Sequence, residues 1–101
     1  MYLFQIFLPL YDNEGNRFTK QKFESIRQEL LRKFGGVTFY QQGASGLWED
    51  ASGKIDSDTL IVIEVMTKTV KKKWWRKFKF SLEKKLKQDE ILIRLMQSVK
   101  V

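Results

Sequence analysis

Nine residues, Thr59 to Thr67 (TLIVIEVMT), constrain this chain most: the run is β-branched, long enough for a strand, and apolar at both parities. A strand that is greasy on both sides has to sit inside a sheet with cover on both faces. The protein must therefore supply neighbouring strands and two covering layers from 101 residues, enough for one core and too few for two. One domain, residues 1–101, is the expectation.

The flanking segments supply the neighbours. Residues 2–10 alternate, with Tyr2, Phe4, Ile6, Leu8 and Leu10 on one side and Leu3, Gln5, Phe7 and Pro9 on the other, a first strand that Pro9 confines to its end or to an edge. A turn of Asp, Asn and Gly follows. Thr19 is placed to cap a helix, with Phe18 and Phe23 as its hydrophobic staple. Phe23, Ile26, Leu30 and Phe34 form the buried stripe of that helix, and Gly35-Gly36 ends it. Val37 to Gln42 reads as a second strand. Residues 43–58 read as a hairpin arm turning at Ala51-Ser52-Gly53-Lys54, anchored by Leu47 and Trp48. Ile91 to Val99 is a last strand, with Leu92, Arg94 and Met96 on one side.

Between the third and last strands lies Lys68–Lys87, which holds ten of the nineteen Lys and Arg and one acid, Glu83, so the net charge of +7 belongs to this stretch. At roughly 100° per residue, Trp74, Phe78, Leu82, Trp75 and Leu86 fall within an arc of about 120°, and lysines fill the rest. This is a second amphipathic helix, ending near Gln88-Asp89, with two tryptophans on its core side. Its order with the strands is β-α-β-β-α-β. The expected fold is α+β and ferredoxin-like: two helices on one face of a four-stranded antiparallel sheet.

That arrangement leaves one sheet face without helices, and here that face is apolar. Leu3, Phe7, Leu92 and Met96 would share it with one parity of the third strand, a patch of the kind that marks an interaction site. A homodimer or another protein partner covers it, or the 43–58 arm folds over it. Phe80, alone among the lysines of the second helix, is a further candidate contact.

Composition narrows the chemistry. The chain has neither histidine nor cysteine, which removes Ser-His-Asp and Cys-His catalysis, disulfides and His- or Cys-bound metals. No catalytic set, metal site or cofactor is expected. Glycine-rich phosphate loops fail on spacing, because Trp48 stands where a P-loop needs its first glycine. A calcium loop starting at Asp12 would need glycine and glutamate where Arg17 and Phe23 stand, and Glu49, Asp50, Asp56 and Asp58 read as solvated turn acids. Tyr40, Glu64 and Arg94 are polar positions on otherwise apolar strands, the residues a small-ligand binder or an enzyme of dimeric α/β-barrel type would use. Lys72, Lys73, Arg76, Lys77 and Lys79 form a basic patch that could meet nucleic acid through phosphate contacts. The third strand lacks the aromatic and glycine signature of an RNA-recognition motif, so nucleic acid is not the favoured partner. No apolar run approaches the ~18 residues a membrane helix needs, and the N-terminus reads as a strand rather than a signal peptide. The expected location is the cytoplasm, with no membrane partner.

The segments FGGVT (34–38), GLW (46–48), EVM (64–66), Trp74-Trp75 and QDEILIR (88–94) resemble a family of small uncharacterised bacterial proteins. The resemblance runs over nearly the whole chain. It implies a compact α+β domain and brings no catalytic residues. The reading that follows is a non-catalytic interaction or oligomerisation module working through its open sheet face.

Overall fold

The structure, a computed structural model, describes residues 1–35, 38–40, 45–49, 55–99 and 101, with segments 38–40, 45–49 and 55–59 defined through their backbone pairing alone. The elements run β1 (Tyr2–Pro9), α1 (Lys20–Phe34), β2 (Thr38–Tyr40), β3 (Ser45–Glu49), β4 (Ile55–Thr67), α2 (Lys72–Lys85) and β5 (Leu92–Gln97). All the strand pairs are antiparallel, in the order β2-β4-β1-β5, with β3 also on β4. The fold is α+β, two helices on an antiparallel sheet whose fully described part is the three strands β4, β1 and β5.

Among the described residues five strands are paired where four were expected, because β4 is long. Its residues 60–67 pair with β1, and 62–64 pair with β2 on the other side. Its first part, 55–59, pairs with β3, the two strands of the expected arm. The turn at Ala51–Lys54, and the question of whether Leu47 and Trp48 cover the sheet, lie outside the described residues.

Phe4, Ile6 and Leu8 of β1 stand opposite Val65, Ile63 and Ile61 of β4, and all six are buried. Phe23, Ile26 and Leu30 of α1 and Trp75, Phe78 and Leu82 of α2 close over them, with Leu86 and Ile91 at one end. Both helices therefore cover the same face. Period 2 in the strands and 3.6 in the helices set which residues of each element join this core.

Thr19 caps α1, its hydroxyl accepting from the Lys22 amide at 3.3 Å, and Phe18 meets Phe23 edge to face at 6.3 Å. Gly35 ends α1 at φ 77°, a left-handed conformation that costs glycine little. The second helix stops at Lys85, short of the expected 88–89. The Gln88 amide donates to the Glu83 carbonyl at 2.9 Å and the Lys87 amide to Lys84 at 3.3 Å, the paired bonds of a Schellman ending. Lys87 takes the left-handed position at φ 50° without being glycine, which is why the letters give no stop signal there. Lys87→Gly is expected to raise stability by about 0.5–1 kcal/mol in urea unfolding, because the strain of an L residue there disappears.

Trp75 lies nearly parallel to Phe4 at 4.0 Å and to Phe34 at 5.3 Å, and edge-on to Trp74 and Phe78. Sequence reasoning expects a buried indole N–H to find an acceptor. The Trp75 Nε1 is buried without one among the described residues. Flat stacking fixes the ring plane, and the indole edge goes where packing sends it. Neither helix is long and apolar enough to cross a membrane.

Candidate functional site

With even positions of β1 in the core, odd ones face away from the helices, and the pairing register lays this second face out in rows. One row is Met66, Leu3 and Met96, on β4, β1 and β5. The next is Glu64, Gln5 and Arg94, continued by Thr38 of β2. The third is Val62, Phe7 and Leu92, continued by Tyr40 of β2. Two apolar rows thus bracket one polar row.

The four residues expected on the open face lie there together. Leu3 stands directly opposite Met96 and Phe7 opposite Leu92. Leu3, Phe7 and Val62 are half-buried, whereas Met66, Leu92 and Met96 are 41%, 47% and 39% exposed. Exposed methionine and leucine beside half-buried leucine, valine and phenylalanine give two apolar rows, parted by the row of Glu64, Gln5 and Arg94. The letters alone do not single out Val62, Met66 and Gln5. Register alone identifies them, and it depends on which strands pair.

Glu64 and Arg94, chosen from the letters as polar interruptions, fall in the same row with Gln5 between them. Gln5 Nε2 donates to Glu64 Oε2 at 2.8 Å. Arg94 is exposed, its guanidinium carbon 5.1 Å from the Phe7 ring centroid, a cation–π contact that brings its charge over the middle of the face. Tyr40 is in the adjoining row at the Val62 register position; its side chain lies outside the described residues. All three positions thus belong to the face away from the helices, not to a space between helices and sheet. A shallow groove elsewhere is lined by Glu29, Arg32, Lys33 and Trp74, with Lys33 Nζ 5.8 Å from the Trp74 ring.

The basic helix divides. Lys72, Lys73, Arg76 and Lys77 are exposed, but Lys79 Nζ donates to Glu83 at 2.9 Å and reaches Glu90 at 3.5 Å. Glu83 also accepts from the Ile91 amide at 2.9 Å, which ties α2 to the entry of β5. The hydrogen bond from Lys79, then that from the Ile91 amide, holds the Glu83 carboxyl below the ordinary glutamate range. The Lys79 ammonium is raised above the lysine range chiefly by its bond to Glu83. For Glu83 the folded value lies below the unfolded one, so its stabilisation is complete above the unfolded value. It is lost as pH falls through the folded value. Glu83→Gln is expected to cost about 1–2 kcal/mol at neutral pH and to flatten the acid limb of a stability-against-pH curve measured by urea melts.

Phe80, on the outer side of α2, is 59% exposed with Lys84 Nζ 4.6 Å from its ring centroid. The Asp12 carboxylate accepts from the amides of Glu14 and Asn16 at 2.9 and 2.8 Å, work internal to the turn. The side chains of Glu49, Asp50, Asp56 and Asp58 lie outside the described residues.

Two helices on one face of an antiparallel sheet define the class of fold, and solved proteins share it. A phage SAM lyase in complex with S-methyl-5'-thioadenosine superposes with a TM-score of 0.67 at 14% identity, over 95% of this chain and 80% of that one. A divalent cation tolerance protein (Cut A1) from Thermus thermophilus gives 0.66 at 14% identity, over 100% and 87%. The phage SAM lyase in its apo state gives 0.56 at 11%, over 94% and 78%. At these identities the likeness is one of fold alone. No protein-family model and no curated protein matches the sequence, so the family resemblance rests on its motifs.

Proposed function

We propose that this chain is a ferredoxin-like, non-catalytic association module whose open sheet face binds a second copy of itself. One observation carries the reading: Leu3, Phe7, Val62, Met66, Leu92 and Met96 form two apolar rows on the face away from α1 and α2. The face matches itself in chemistry, apolar around one polar row of opposite charges, which suits an isologous pair. Three strands, β1, β4 and β5, about 4.8 Å apart and roughly seven residues long offer a footprint of about 330 Å² per protomer, in the range of weak, transient interfaces. The dimer should therefore form in the micromolar range and dissociate on dilution. Light scattering on a gel-filtration column at low and high salt tests this. A dimer mass that persists in high salt supports apolar association, and a monomer at every concentration ends the proposal.

A second reading has its own support in the half-buried Glu64, hydrogen-bonded to Gln5 and in line with Arg94. Such a row on a greasy face could orient a small polar ligand, and a protein of similar fold holds S-methyl-5'-thioadenosine. Calorimetric titration of that nucleoside into the wild type and Glu64→Gln separates the readings: binding that Glu64→Gln abolishes favours a ligand site. The basic-helix reading ranks behind both, because Lys79 is committed to Glu83 and Glu90.

A further inference from the structure

The side of α2 turned away from the sheet carries a surface that the association face does not use. Trp75, Phe78 and Leu82 of α2 are buried in the core, and at roughly 100° per residue Phe80 falls nearly opposite to them. Phe80 is 59% exposed, and no other aromatic of α2 is exposed. Exposed cations surround it at helical spacing: Lys73, Arg76 and Lys77 on its N-terminal side, and Lys84 one turn beyond. Lys84 Nζ lies 4.6 Å from the Phe80 ring centroid. Lys73, Arg76 and Lys77 make no ion pair among the described residues. The one acid of α2, Glu83, is taken by Lys79 and the Ile91 amide, so neither it nor Lys79 belongs to this surface. The helix crest is thus an exposed phenyl ring set among unpaired cations.

We propose that this crest docks on the surface of an anionic phospholipid bilayer. Phe80 dips into the headgroup region, and Lys73, Arg76, Lys77 and Lys84 meet the lipid phosphates and carboxylates. The proposal goes beyond the association face and does not rest on it. The helix itself cannot sink into lipid, because its apolar side closes the core of the protein. Contact is therefore made by the crest alone. The lack of a spanning run, which predicts no membrane partner, speaks only to insertion; surface contact needs no helix long enough to cross. Each cation near an anionic membrane contributes about fivefold in partitioning, and burying the exposed part of a phenyl ring contributes about as much again. The sum is a reversible, salt-sensitive docking. Charge alone would also suit nucleic acid, but the shape favours lipid. A bilayer is a plane that a convex crest can meet along its length, and its interface accepts an aromatic ring. A single strand is held in a groove that tracks its backbone, beside a series of aromatics for successive bases; α2 offers one ring on a ridge. A duplex groove rewards hydrogen-bond donors aimed at base edges, and a phenyl ring at the apex supplies none.

The test is co-sedimentation of the full chain with phosphatidylcholine vesicles, with and without phosphatidylserine, at low and physiological salt. Binding is expected on the anionic vesicles alone, and weaker at the higher salt. The pair Lys73→Gln and Lys77→Gln in one chain should lower the partition coefficient about tenfold or more. Phe80→Ser should lower it about threefold or more at both salt concentrations, a loss that charge alone does not produce. All three positions are exposed, and circular dichroism checks that each variant folds. No binding to anionic vesicles at low salt overturns the proposal. Binding that Phe80→Ser leaves unchanged overturns it too, since the crest would then be a diffuse charge and no docking site. A single-stranded oligonucleotide is titrated alongside: tighter binding there, lost in Phe80→Ser, overturns the lipid assignment in favour of nucleic acid. Light scattering reads self-association separately, so a chain that proves monomeric leaves this test intact.

Discussion

Phe7→Glu is expected to turn a self-associating protein into a folded monomer. Phe7 is the central residue of its row, between Val62 and Leu92, and its ring lies under the Arg94 guanidinium. A carboxylate there would have to be desolvated against apolar side chains of the partner. Truncating or charging a central aromatic of an interface costs about 2–4 kcal/mol, roughly 30- to 1000-fold in dissociation constant. Folding should suffer much less. The residues that close the core from β1 are Phe4, Ile6 and Leu8, of the opposite parity, and the monomer already leaves Phe7 half-buried. Light scattering alongside a thermal melt separates the two effects: loss of dimer mass with a melt within a few degrees is the expected pair.

The largest effect on stability is expected from Trp75→Ala. The indole fills the centre of the aromatic cluster, 5% exposed, with Phe4 and Phe34 both stacked nearly parallel to it. Emptying that position leaves a cavity bounded by a strand and both helices, at a cost of about 3–5 kcal/mol. Against a total stability of about 5–15 kcal/mol for a domain of this size, much of the population could unfold at 37 °C. Trp75→Phe should cost far less. It keeps one ring in the stack and removes the buried N–H that has no acceptor among the described residues. Urea denaturation of both variants, compared with wild type, gives the two numbers.

Much of this architecture is legible in the letters. Alternation from Tyr2 to Pro9 divides the strand into two sides without saying which one meets the helices, and the pairing register then sets Leu3 beside Met96 and Phe7 beside Leu92. The start of α1 is written in Thr19, Phe18 and Phe23, and its end in Gly35. Other features are not legible, for physical reasons. The Glu64–Gln5–Arg94 row joins three segments separated in sequence, and only strand register brings them into line. Gln5 by itself reads as an interruption in an apolar run. The end of α2 is hidden because a lysine adopts the left-handed turn that glycine usually signals. Lys79 looks like one more cation of the patch until Glu90, beyond the helix, comes back beside it.

The central claim is that the molecule associates through the face carrying Met66 and Met96. Hydroxyl-radical labelling across a concentration series, followed residue by residue, tests it most directly. Met66 and Met96 are exposed in the single chain, and so is Phe80 on the outer side of α2. Labelling of the two methionines should fall as protein concentration rises through the dissociation constant, while Phe80 is labelled at a constant rate. Protection of Phe80 with the methionines unchanged would contradict the account and move the interface to the basic helix.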